Sequence, residues 1–158
     1  MGNPIIYGII RSFHDIASII WIGSLFFISF FLVPKAKNLI DEEKRMIFLN
    51  GIFDRITPLI FVCIIILIVT GILEHRFVKM SGIINKRPVS GTYNTIHTIK
   101  YILTGLMVVI AALRQIMRKK MSKAGQALKK KNPYTLVYMN TIIGIIVVFL
   151  SGILSALN

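Results

Sequence analysis

The chain has 158 residues, of which 55% are hydrophobic, and it carries a formal net charge of +13 with only six acidic residues. Its mean hydropathy of +0.75 excludes an ordinary soluble domain. The apolar residues form four blocks with most of the cations between them, which argues against a nucleic-acid-binding module and predicts a multi-pass protein of the cell membrane. Its one cysteine, Cys63, excludes an intrachain disulfide.

The four apolar blocks predict four transmembrane helices, and therefore an all-α, four-helix membrane bundle in one domain, residues 1–158. The first block contains an uncharged run, residues 16–33, and ends at Pro34. At about 1.5 Å per residue, this run is long enough to cross the hydrocarbon core of a bilayer. The predicted spans are residues 5–33, 56–77, 93–115 and 134–157.

The connection between the first two spans, residues 34–55, mixes charged and apolar side chains. Such a mixture predicts a short amphipathic helix that lies on the membrane surface. A solvated connector is the alternative, because amphipathicity alone is a weak signal.

The cations of the connections predict the orientation. The first and third connections hold most of them, and residues 118–131 alone contain seven lysines and arginines. Positively charged loops stay on the cytoplasmic side, so we expect the basic third loop in the cytoplasm and both termini outside. The second connection, residues 79–92, also carries cations, which reduces the contrast.

In this orientation the three histidines of the chain, His14, His75 and His97, all fall in the outer half of the membrane. Titratable side chains are costly inside a membrane and usually mark a site or a partner. Two imidazoles on different helices can hold a haem iron from both sides. We therefore expect His14 and His97 to be the metal ligands, with His75 as the alternative second ligand.

Three charged side chains accompany these histidines. Arg11, one turn before His14, is placed to pair with a haem propionate. Lys100, one turn after His97, is expected to extend outward to the interface, to pair with Asp15 or to bind a ligand carboxylate. Asp15 itself is expected to orient His14 or to relay a proton. We assign Lys100 and Asp15 as candidate catalytic residues.

Other polar or bulky residues of the spans are expected to serve packing. Trp21 shares a helix face with Arg11 and His14, but its depth favours a packing role. Span four contains no charge, and its Asn140, Gly144 and Ser151 are typical of helix interfaces in membranes. This composition leaves homo-oligomer formation open.

Three short motifs resemble the CopD-like and HemJ-type family of small four-helix haem b membrane proteins. His14 stands seven residues before the Trp-x-Gly motif that begins at Trp21, and Arg55-Ile-Thr-Pro58 opens the second span. Lys100 precedes an aliphatic run in the third span. The resemblance covers roughly residues 8–115.

The resemblance implies haem b bound through His14 and a functional role for Lys100. HemJ-type proteins are protoporphyrinogen oxidases of haem synthesis, and relatives include small cytochromes b that exchange electrons with quinone. CopD-like proteins are associated with copper uptake.

From the residues and the resemblance together, we expect a haem b-binding membrane protein in electron transfer or in oxidation of a hydrophobic substrate. Its partners would be membrane lipid and a quinone or tetrapyrrole-like molecule, with no nucleic acid. A copper-handling transporter is one alternative, with the histidines as copper ligands. A non-catalytic assembly subunit is the other.

Overall fold

The computed structural model describes residues 4–84, 91–123 and 134–156, and every described element is a helix. Helix α1 (Pro4–Phe27) continues through a π-helical turn (Ile28–Leu32) into α2 (Val33–Leu39). Helices α3 (Glu42–Ile84), α4 (Gly91–Lys123) and α5 (Thr135–Ala156) follow. Several predicted features lie outside the described residues, namely the second-loop cations Lys86 and Arg87, the Lys129, Lys130 and Lys131 run, and Leu157 at the predicted end of span four.

The prediction of an all-α protein with four transmembrane helices is confirmed. Four helical stretches are long and apolar enough to cross a membrane: Ile5–Leu39, Lys44–Phe77, Gly91–Arg118 and Thr135–Ala156. Each presents large exposed hydrophobic side chains, such as Phe13, Ile65, Ile102 and Phe149. Because such surfaces are stable in hydrocarbon and not in water, the protein is a multi-pass membrane protein whose helices contact lipid.

The less exposed side chains of each helix recur at spacings of three, four or seven residues. This spacing places them along one face and is typical of helices that pack at shallow angles. The series are Tyr7, Ile10, His14, Ala17, Trp21, Leu25 and Ile28 in α1; Phe53, Thr57, Ile60, Ile64, Leu67, Gly71 and Glu74 in α3; Tyr93, Lys100, Met107 and Arg114 in α4; and Val137, Thr141, Gly144, Val147 and Leu154 in α5.

A π-helical turn interrupts the first transmembrane helix just before Pro34. Within it the Val33 backbone N–H bonds the carbonyl of Ile28, five residues earlier. Proline has no N–H, and its ring would clash with the carbonyl four residues before it. The wider π turn accommodates Pro34 without ending the helix, which therefore extends to Leu39.

The structure does not contain the separate surface helix predicted for residues 34–55. Residues 34–39 finish the first helical rod, and residues 42–55 form the first part of α3. Only Ile40 and Asp41 lie between the two. The predicted boundary at residue 56 marked the point where charges end, but a helix continues through charged residues when no breaker interrupts it. Pro58 lies within α3.

The chain divides into two compact units, and the division falls within the first transmembrane helix. The first unit comprises Met1–Ser24 and Lys35–Gly91, and the second comprises Leu25–Pro34 and Thr92–Asn158. In the first unit α1 and α3 run antiparallel, since the Tyr7 ring contacts the Phe77 ring at 5.9 Å and His14 contacts Thr70.

In the second unit the π-helical turn packs against α5. Ser29 Oγ and Thr141 Oγ1 are 2.6 Å apart, and both residues are fully buried. Thr141 Oγ1 also lies 2.9 Å from the carbonyl of Val137 and 3.2 Å from that of Leu25. Because Ser29 can donate to Thr141 while Thr141 donates to a carbonyl, both hydroxyl protons are used.

Candidate functional site

His14 is positioned by a hydroxyl group of the neighbouring helix. It lies on the face of α1 that packs against α3, is half-buried, and has its Nδ1 2.9 Å from Thr70 Oγ1. Thr70 is almost fully buried, with 8% of its surface exposed. Its Oγ1 also lies 2.7 Å from the carbonyl oxygen of Ile66, one helical turn earlier.

These two contacts together show that the ring nitrogen of His14 that faces Thr70 carries a proton. A threonine hydroxyl has one proton, and a carbonyl oxygen only accepts. For both contacts to be hydrogen bonds, Thr70 donates to Ile66 and accepts from the Nδ1–H of His14. In a neutral imidazole, this arrangement leaves the lone pair on Nε2. This is the state in which histidine binds a metal or a haem iron, with a second residue orienting the ring.

The antiparallel register of α1 and α3 shows which residues of the two helices lie at the same position along the helix axis. The pairs Tyr7 with Phe77 and His14 with Thr70 place His75 level with residue 9. His75 therefore lies about 7.5 Å from His14 along the helix axis, or five residues at 1.5 Å each. Two axial ligands of one iron lie directly opposite each other, so this register disfavours His75 as the second ligand of a haem bound by His14.

The two charged residues predicted beside His14 are both exposed. Arg11 precedes His14 by one turn of α1, and Asp15 follows it directly. At this depth, exposed side chains face lipid or a molecule that replaces lipid. Both residues are therefore accessible to a ligand that reaches His14 from the surface of the first unit.

Trp21 is buried two turns beyond His14 on the same face, with 2% of its surface exposed, as its predicted packing role requires. Its indole N–H has no hydrogen-bond acceptor among the described residues. Cys63 occupies the opposite register position on α3 and is also buried. The surroundings of the Trp21 indole on that side are therefore apolar.

His97 and Lys100 belong to the second unit. The His97 ring lies between two tyrosine rings of its own helix: Tyr93 stacks on it at 5.6 Å and 25°, and Tyr101 meets it edge-on at 4.4 Å and 82°. Lys100 is half-buried on the same helix. The pairing of His14 with His97 around one iron stays a prediction.

Two contacts in this arrangement were not predicted from the sequence, that of His14 with Thr70 and that of His97 with Tyr101. Thr70 is the one hydroxyl residue between Leu59 and Leu73 in the apolar run of the second span, and that was the available signal for a polar contact there. Tyr101 stands four residues after His97, at the spacing that brings two side chains of a helix together.

Among the described residues, no three His, Cys, Asp or Glu side chains lie close enough to hold a metal ion. A haem requires fewer protein ligands, because the porphyrin supplies four of the iron's nitrogens. The donor set at His14 fits one axial ligand of a haem.

Comparisons with protein-family models, with curated proteins and with solved structures find no match to this chain. The CopD-like and HemJ-type resemblance therefore rests on the three short motifs alone.

Proposed function

We propose that this membrane protein binds haem b through His14 and acts in electron transfer or in the oxidation of a hydrophobic substrate. The observation that carries the proposal is the hydrogen bond between His14 and Thr70. It puts a proton on Nδ1, so that the neutral imidazole has its lone pair on Nε2, the nitrogen that can ligate iron, and a buried partner holds the ring in a fixed orientation.

Each charged residue near a histidine has a proposed task. Arg11 pairs with a propionate or a substrate carboxylate, since a guanidinium binds carboxylates in bidentate fashion. Asp15 takes up or releases a proton near His14, and Lys100 binds a carboxylate of the substrate. When bound, the haem supplies one-electron redox chemistry at its iron. The substrate class is a quinone or a protoporphyrinogen-like tetrapyrrole.

The absorption spectrum of the purified protein tests this function. We expect a Soret band, or its appearance when haemin is added to the detergent-solubilised chain, and its loss in His14→Ala. Ser12→Ala is the matched control, because Ser12 lies on the same helix and its hydroxyl bonds the carbonyl of Gly8 within that helix. A chain that neither contains nor takes up haem contradicts the proposal, and copper without porphyrin would favour copper handling.

The same spectrum can identify a second ligand. His75→Ala and His97→Ala are compared with the wild type in the oxidised and reduced states. A six-coordinate, low-spin spectrum that becomes high-spin in His97→Ala alone would support the predicted pair. The register of α1 and α3 leads us to expect little change in His75→Ala.

We further propose that both termini lie on the outer side of the cell membrane and that the basic third loop lies in the cytoplasm. The support is the distribution of lysine and arginine among the connections. In this orientation His14 and the start of α4 belong to the outer half of the membrane.

A further inference from the structure

Trp21 carries a buried hydrogen-bond donor for which the described part of the chain supplies no acceptor. The side chain exposes 2% of its surface, and its indole Nε1–H has no partner among the described residues. A tryptophan N–H usually finds an acceptor when it is buried, because an unpaired donor away from water costs free energy. The donor of Trp21 is therefore suited to an acceptor on a bound molecule.

The surroundings of Trp21 determine which kind of acceptor fits there. On α1 the nearest charged residue is Asp15, six residues away, or about 9 Å along the helix axis. On α3, residues 56–73 are uncharged, and Cys63 lies opposite Trp21 in the register of the two helices. A carboxylate beside Trp21 would lose its hydration without a cation from either helix to replace it. A neutral carbonyl oxygen accepts the N–H without that cost.

We propose that Trp21 donates its Nε1–H to a neutral carbonyl oxygen of an apolar molecule, and that this hydrogen bond selects such molecules over those that carry carboxylates. This role of Trp21 rests on the proposed function. Of the two substrate classes named there, it favours the quinone over the tetrapyrrole with its carboxylate side chains. Trp21 follows His14 by seven residues on the same face, so the carbonyl lies about 10 Å along the helix axis from the haem ligand.

Short side chains on α1 give a flat ring a route to the edge of the indole. Ser18 and Ser24 lie one turn before and one turn after Trp21, and both are half-buried. The hydroxyl of Ser24 donates to the carbonyl of Ile20 within the same helix. Its proton is therefore in use, which leaves the indole as the donor for the incoming carbonyl.

Ultraviolet resonance Raman spectroscopy tests the hydrogen bond directly, because Trp21 is the one tryptophan of the chain. The full chain in detergent is saturated with decylubiquinone and, separately, with protoporphyrin IX. We expect the quinone to shift the indole band that reports hydrogen bonding of the N–H, and protoporphyrin IX to leave that band unchanged. A chain that does not bind the quinone, or binds it without a shift, would overturn the proposal. The same shift with protoporphyrin IX would overturn it as well.

Isothermal titration calorimetry with decylubiquinone tests the contribution of the N–H to affinity. Trp21→Phe keeps a large aromatic ring without the donor and is expected to bind about fivefold more weakly, as the loss of one hydrogen bond predicts. Ser24→Ala is the matched control on the same helix and should stay within about twofold of the wild type. Equal affinities of Trp21→Phe and the wild type, or equal losses in the two variants, would contradict the proposal. Should Trp21→Phe fail to fold, as judged by circular dichroism, the Raman measurement on the unaltered chain decides.

The Soret band, recorded on the same samples, separates this proposal from that of haem binding. A chain that binds haem but whose quinone affinity is the same in Trp21→Phe retains the proposed function and overturns the role of Trp21. A chain that takes up no haem but shows the quinone-dependent shift of the indole band supports the role of Trp21 and contradicts haem binding.

Discussion

Thr70 holds a single hydroxyl proton, and the use of that proton determines the chemistry open to His14. Donated to the carbonyl of Ile66, it leaves Thr70 as the acceptor for the Nδ1–H of His14. Donated to His14 instead, it would place the lone pair on the wrong nitrogen. The back-bonded threonine is common in helices and therefore costs the fold little. Thr70 can in this way fix the tautomer of His14 without itself binding the metal.

Thr70→Val should weaken haem binding while Thr70→Ser should not. Valine has nearly the shape of threonine but cannot accept the Nδ1–H bond, so the His14 ring loses its fixed tautomer and orientation. Loss of such a supporting hydrogen bond typically costs 10–100-fold in metal affinity, and we expect a loss of about 10-fold or more. The measurement is a haemin titration followed at the Soret band. Equal affinities for the valine and serine variants would show that the hydroxyl does not act on His14.

At the scale of elements, the π-helical turn and α5 are joined by a buried hydroxyl pair. Ser29 and Thr141 are 0% and 1% exposed, and neither hydroxyl can reach water without separating the helices. Thr141 keeps an acceptor in its own helix, the carbonyl of Val137. Ser29 depends on Thr141, so the two residues should respond differently to mutation.

A double-mutant cycle should show this asymmetry. Thr141→Val leaves the Ser29 hydroxyl buried beside a methyl group and should destabilise more than Ser29→Ala, which leaves Thr141 bonded within its helix. The coupling free energy should be about 0.6 kcal/mol and not above about 1.7 kcal/mol, the range for hydrogen bonds between membrane helices. The measurement is the free energy of unfolding in mixed micelles.

The control for this cycle pairs Ser29→Ala with Ser151→Ala. The hydroxyl of Ser151 bonds the carbonyl of Val147 inside α5 and does not join two helices. Its coupling to Ser29 should be zero within error. Coupling as large as that of Thr141 would mean that the contact is not specific.

The continuity of α3 leads to a second prediction at this scale. If residues 42–55 extend the span as one helix, spin labels at exposed Lys44 and Ile72 should be about 42 Å apart. A surface helix bent at a right angle near Arg55 would bring the two labels to about 30 Å. Double electron–electron resonance in a Cys63→Ala background distinguishes the two distances. The shorter distance would contradict the continuous helix and restore the surface helix.

The sequence predicted the existence and class of these helices better than their ends. Hydrophobic runs such as residues 56–73 identify a span directly, because hydrocarbon tolerates little else. The ends of helices outside the hydrocarbon depend on local breakers, and the charges at residues 42–55 do not end α3. The contact of His14 with Thr70 depends on the register of two helices, which the sequence of either helix does not contain.

At the scale of the whole molecule, the distribution of charge predicts the orientation. The first connection, residues 34–55, has five lysines and arginines, and the third, residues 118–131, has seven. Residues 76–92, around the second connection, have four. Lysine and arginine set orientation, and acidic residues contribute little, so the four carboxylates of the first connection do not cancel its effect. The first and third connections should therefore share the cytoplasmic side.

Single cysteines introduced into the Cys63→Ala chain test this orientation in intact cells with a membrane-impermeant maleimide. Ser90→Cys, in the second connection, should be labelled from outside, whereas Gly125→Cys, in the third, should be labelled only after permeabilisation. The Cys63→Ala chain without a new cysteine gives the background. Because four spans place the second connection and both termini on the same side, the opposite pattern would move His14 to the cytoplasmic half. It would leave the contact of His14 with Thr70 intact, but any substrate would then have to approach from the cytoplasmic side.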